Sequence, residues 1–105
     1  MITPIYNRQS RTLTSEQYTL LAGDQRLGHL DLHFGASDVY ATLVLDRELD
    51  DVELAQLIEQ IDDDLVEEGR SDFLVRVYVG REVGLFSDEF LRDDYVENGH
   101  EEFVE

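Results

Sequence analysis

The stretch Leu27-Gly28-His29-Leu30-Asp31-Leu32-His33-Phe34-Gly35 decides the fold. From position 29 it alternates strictly, with His29, Asp31 and His33 on one side of an extended chain and Leu30, Leu32 and Phe34 on the other. Successive side chains of a strand point to opposite faces, so a period of two marks a half-buried strand with one wet and one dry face. The same pattern continues on both sides. Residues 18–22 read as a preceding strand, joined through Gly23-Asp24-Gln25, because Gly and Asp tolerate the left-handed backbone of hairpin loops. Gly35-Ala36-Ser37-Asp38 then turns the chain into residues 39–45, where Val39, Ala41, Leu43 and Leu45 share one face and Tyr40, Thr42 and Val44 the other. Three such strands make an antiparallel meander.

Beyond residue 50 the period changes. Leu54, Leu57, Ile58, Ile61 and Leu65 follow the i, i+3, i+4, i+7, i+11 spacing of a single helical stripe, which predicts a helix over residues 51–68. Asp50 is placed to cap its N-terminus, Glu53 stands where a capping box wants an acid, and Gly69 supplies a left-handed stop. Residues 73–79 return to a period of two, with Phe73, Val75, Val77 and Val79 against Leu74, Arg76 and Tyr78. Gly80-Arg81-Glu82 is expected to turn this strand into a short one over residues 83–86, and Ser87-Asp88-Glu89 to open a second helix that carries Phe86, Phe90 and Leu91 inward and ends near Asn98-Gly99.

The expected fold is therefore α+β in two layers: an antiparallel β-meander of four to five strands, one long helix packed on one face, and a short C-terminal helix as an open option. Residues 1–14 read as an N-terminal arm or an edge strand through Ile5, residues 15–86 as a single domain, and residues 87–105 as an acidic segment, partly helical or mobile. At 105 residues one domain is the expectation, since a chain of this size buries roughly two thirds of its unfolded surface in one core.

Charge narrows the function classes. The formal net charge is −17, and all eight basic residues are Arg. Residues 46–72 hold twelve carboxylates against two arginines, and residues 87–105 hold eight against one. A field of this sign repels phosphates, which argues against direct nucleic-acid binding and for a basic protein surface as partner. Acidity without lysine equally suits a chain kept soluble in concentrated salt, where the Debye length is about 3 Å at 1 M. Both readings stand. Cysteine is absent, which excludes disulfides, thiolate catalysis and cysteine-held metals. Residues 1–13 lack the apolar run of a signal peptide, and no stretch approaches the roughly 20 apolar residues of a membrane span, so a cytoplasmic protein is expected.

Four groups of residues invite a chemical reading. His29, Asp31 and His33 share a strand face and offer two imidazoles and a carboxylate to a borderline metal such as zinc; the plainer reading is a solvated polar face. Tyr40, Arg76 and Tyr78, with their neighbours on the face away from the helix, are the amphipathic residue types that interface centres favour. They point to a homodimer or a docked partner, unless the arm or tail covers them. On the helix, Glu59, Asp63 and Glu67 stack at four-residue intervals, as do Gln60, Asp64 and Glu68. These like charges repel each other and crowd the end where the helix dipole disfavours them, so stability does not explain them, whereas a basic partner, bound cations or high salt would. In the tail, Phe90, Leu91, Tyr95, Val96, Phe103 and Val104 punctuate acids, as in a segment that docks on a partner.

Asp62-Asp63-Asp64 lacks the alternation and glycine of a calcium loop. No phosphate loop, nucleophile elbow or lysine supports catalysis, and no cofactor is implied. The expected function is a small, acidic, non-catalytic interaction module that presents carboxylates to a basic partner and self-associates through its open sheet face. Two competing readings are a nucleic-acid-mimicking inhibitor or immunity-type protein, and a small metal-binding protein or metal-dependent enzyme using His29, Asp31 and His33.

Overall fold

The stretch that alternates from His29 sits at the middle of a five-stranded sheet in the computed structural model, which describes residues 2–66 and 72–88. The elements are β1 (Ile5–Arg11), β2 (Ser15–Ala22), β3 (Gln25–Phe34), β4 (Asp38–Leu45), α1 (Asp51–Leu65) and β5 (Asp72–Val79), and the strands lie side by side in chain order. The architecture is α+β in two layers, as expected. β1 to β4 form the antiparallel meander, and the first residues supply its edge strand rather than a loose arm.

One strand departs from the expectation. β5 runs parallel to β4, with Asp38 beside Asp72 and Leu45 beside Val79, so the sheet is mixed rather than wholly antiparallel. The cause lies in the connection. Between β4 and β5 the chain makes a helix that travels back across one face, and a return of that length delivers the next strand in the same direction as the last. The expected strand over residues 83–86 does not form: residues 80–87 have no regular structure, and Val83 and Leu85 are 88% and 96% exposed. The helix ends at Leu65, and Val66 already has extended backbone while its N–H bonds Asp62 O at 3.2 Å. Gly69 and the expected C-terminal helix from residue 89 onward lie outside the described residues, while Phe86, expected to face inward, is 54% exposed.

Cross-strand pairing builds the core. Leu30 stands opposite Leu43, Leu32 opposite Ala41 and Phe34 opposite Val39, and opposite residues share a face. Leu20, Leu30, Leu32 and Leu43 from the sheet meet Leu57 and Ile61 from α1, all fully buried, with Leu54 and Leu65 packed at the margin. Each such side chain stabilises the fold by about 1.5–3 kcal/mol relative to exposure. The Leu30 and Leu54 sides thus meet in one interior, and the histidine face turns away from the helix.

A β-bulge explains why the alternation begins only at position 29. Leu20 pairs with Gly28 but Leu21 with Arg26, which leaves Leu27 as the extra residue of β3. Two consecutive residues then oppose one, and Leu27 enters the core at 1% exposure out of phase with Leu30. Gly28 beside it passes so close to β4 that an added Cβ would lie 2.2 Å from the Val44 carbonyl oxygen. The β2–β3 hairpin closes through Gly23, whose φ of +65° is the conformation that the first residue of a two-residue loop takes in a type II′ turn.

Candidate interaction surface

Strand pairing assembles the open face in rows. His29, Val44 and Tyr78 form one row across β3, β4 and β5; Asp31, Thr42 and Arg76 form the next; His33, Tyr40 and Leu74 the third. The sequence-predicted residues Tyr40, Arg76 and Tyr78 are therefore brought together on one surface. Tyr40, Tyr78 and Leu74 are 51%, 50% and 42% exposed. An open groove of about 760 Å³ runs along them, with Tyr40, Thr42, Leu74, Arg76 and Tyr78 among the residues that line it. Among the described residues no carboxylate forms an ion pair with Arg76; the arginine pairs there are Arg11 with Glu16 at 3.4 Å and Arg26 with Asp46 at 3.2 Å.

The histidine face is less convergent. His29 Nε2 lies 2.9 Å from Asp31 Oδ1, a partly buried contact that fixes the imidazole. His33 is exposed, and two strand repeats separate it from His29 by about 13 Å of backbone. Among the described residues no three His, Asp or Glu side chains gather closely enough to hold a metal ion.

On α1, Asp50 caps the helix as expected, accepting a bond from Glu53 N–H at 2.8 Å. Glu59, Asp62 and Asp63 are exposed along the ridge, and no basic residue occupies the last turn. Asp64 plays a different part from its neighbours. Its carboxylate accepts from Tyr6 Oη at 2.8 Å and from Gln60 Nε2 at 3.0 Å, tying the end of α1 to β1 across 58 residues. Glu67 and Glu68 lie outside the described residues.

That tie was not visible in sequence, because Tyr6 sits in a segment with no clear period and its partner is remote. Tyr6 packs edge-on against Tyr18 with ring centroids 6.0 Å apart, and Tyr18 Oη donates to Glu16 Oε1 at 2.5 Å. Both phenols are held above their ordinary pKa, by burial first and then by the carboxylate each one bonds, Tyr6 strongly so; the Arg8 guanidinium pulls Tyr18 the other way.

The C-terminal end of α1 is fastened at β1, and the helix side of β5 packs on the core without being fully covered. Phe73, Val75 and Val77 on the helix side of β5 are only half-buried, and Val79 is 56% exposed. β5 is also an edge strand: it shows apolar side chains on both faces and, among the described residues, no strand along its outer side, where the Phe73 N–H donates to the Asp72 carboxylate. The opposite edge is guarded: β1 carries Asn7, Arg8, Gln9, Ser10 and Arg11, all exposed, and a bulge between Arg8 and Ser10. Bulges and charges on an edge strand discourage pairing with another chain, and β5 has no bulge. Comparison with protein-family models, curated proteins and solved structures finds no match to this chain.

Proposed function

We propose that this protein is a non-catalytic protein-interaction module whose contact surface is the β4–β5 side of the open sheet face. The supporting observation is the cluster of Tyr40, Leu74 and Tyr78, each about half exposed, around an Arg76 that has no ion-pair partner among the described residues. Aromatic and arginine side chains bring area and a polar handle together, which is what the centre of an interface requires. The carboxylates Glu59, Asp62 and Asp63, exposed on α1 on the other side of the molecule, offer a second, salt-dependent contact that draws a basic protein to the helix.

The test uses the immobilised full chain and a Tyr40→Ser/Tyr78→Ser double variant. Both side chains are exposed, so the variant keeps the core. Proteins retained by the wild type and lost by the variant are the expected result. An unchanged set of retained proteins, or none with either bait, overturns the reading. Retention of a nucleic-acid-binding protein, released as salt rises, narrows the reading to a phosphate-mimicking inhibitor.

A further inference from the structure

We propose that β5 is a self-pairing edge: two copies of this chain join β5 to β5 in antiparallel fashion about a two-fold axis at Leu74, making one continuous ten-stranded sheet. The proposal deepens the interaction reading by naming a second copy as the occupant of the edge. It rests on three observations about one strand. The first is geometric. Among the described residues no strand pairs with the outer side of β5, where Leu74 is exposed and the Phe73 N–H donates to the neighbouring Asp72 carboxylate at 2.8 Å, whereas β1 at the other end is bulged and lined with polar side chains. A long apolar edge without such guards is a template for another strand.

The second observation is electrostatic. A polyanion of −17 repels its own copy over most of its surface, yet residues 72–82 carry Asp72, Arg76, Arg81 and Glu82 and are locally neutral. A basic partner is drawn to α1; a second copy approaches most easily along β5.

The third is the internal symmetry of the strand. A two-fold axis normal to the sheet keeps both faces in place, so residues whose numbers sum to a constant even value stand opposite one another across the joint. Centred on Leu74, the joint spans residues 72–76 of each copy: Asp72 of each faces Arg76 of the other on the open face, exchanging its local bond to the Phe73 N–H for the guanidinium, and Phe73 faces Val75 on the helix face. Opposite charges directly across an antiparallel pair stabilise it and like charges destabilise it. Centring on Arg76 sets the two guanidinium groups against each other, and centring on Val75 leaves Asp72 against Tyr78. Only the Leu74 centre satisfies both charges twice. The two half-covered apolar flanks left by α1 then lie next to each other on one side of the joined sheet.

The experiment measures mass in solution by light scattering, at about 0.15 M salt, for the wild type, Asp72→Arg, Arg76→Glu and an equimolar mixture of the two variants. Asp72 and Arg76 are exposed, and circular dichroism confirms that each variant is folded. The wild type is expected at twice the chain mass. Each single reversal raises the dissociation constant about tenfold or more, because two opposite-charge pairs become two like-charge pairs. Mixing the variants restores the dimer: the arginine introduced in one copy meets the glutamate introduced in the other, while the unaltered Arg76 of the first still meets the unaltered Asp72 of the second.

A wild type that stays monomeric at about 100 µM, a concentration at which a dimer of even modest affinity is populated, overturns the proposal. So does a dimer indifferent to the single reversals, or one lost on reversal and not regained on mixing. A monomer whose β5 amides become protected only when another protein is added assigns the edge to that protein and also overturns it. None of these outcomes touches the retention experiment with the tyrosine variant, so failure of self-pairing and failure of the interaction reading are distinguishable.

Discussion

At the scale of single residues, Gly28 is the least replaceable position in the sheet. The atoms that an added methyl would meet belong to the backbone of Val44 and Leu45, at 2.2 and 3.0 Å, so no flexible side chain is available to yield. Gly28→Ala must push β3 away from β4 directly beside the bulge that seats Leu27. It is expected to cost about 3 kcal/mol, at the upper end of overpacking effects. Gly23→Ala at the hairpin meets no atom within 4 Å and bears only the left-handed backbone penalty of about 1–2 kcal/mol. Urea unfolding of the two variants checks the order; equal costs would show that β3 and β4 can separate locally. The sequence marks Gly23 as a turn residue at once. Gly28 carries no such mark, because the carbonyl it must pass belongs to Val44, on the next strand of the sheet.

At the scale of elements, α1 is held at both ends by carboxylates doing opposite jobs. Asp50 accepts the N-terminal amide of Glu53, and Asp64 anchors the other end to Tyr6 of β1. Tyr6→Phe keeps the ring packed on Tyr18 and removes only the bond to Asp64, for an expected loss of about 0.5–1.5 kcal/mol. The pH dependence has a definite sign. The folded phenol ionises above its ordinary value, while in the unfolded chain it ionises near 10. Below about pH 10 both states keep the proton and stability is flat; above it the unfolded state releases the proton first, and stability falls. Denaturation midpoints between about pH 8 and 11 should therefore decline less steeply for Tyr6→Phe than for the wild type, Tyr18 supplying what remains. Much of this level was legible beforehand: the stripe from Leu54 to Leu65 and the Asp50 cap fix the helix, and alternation fixes which strand residues face it. Alternation assigns faces but not direction. The parallel course of β5 depends on how far the helix carries the chain, and nothing in the alternation over residues 83–86 announces that Val83 and Leu85 stay exposed.

At the scale of the whole molecule, charge and topology decide behaviour together. Eight arginines face twenty-five carboxylates, and among the described residues only Arg11 and Arg26 form ion pairs with carboxylates. Salt shortens the reach of the resulting repulsion from about 10 Å at 0.1 M to about 3 Å at 1 M. The melting temperature is expected to rise by several degrees between about 0.05 and 1 M sodium chloride in a calorimetric scan; a flat or falling curve would mean that the acids are already compensated within the fold. The open face was readable from sequence because Tyr40, Arg76 and Tyr78 lie on the same side of their strands as the histidines do of theirs. The bare edge was not, since strand order is a property of the assembled sheet. That order also has a temporal side. The meander closes through short turns, and its strands can zip together as they leave the ribosome, whereas β5 must wait for α1 to be made and laid down. Until it arrives, the outer ladder of β4 is bare beside the most hydrophobic part of the nascent chain. During synthesis, then, β5 acts as a stopper for its neighbour, and any delay in its arrival leaves β4 open to aggregation.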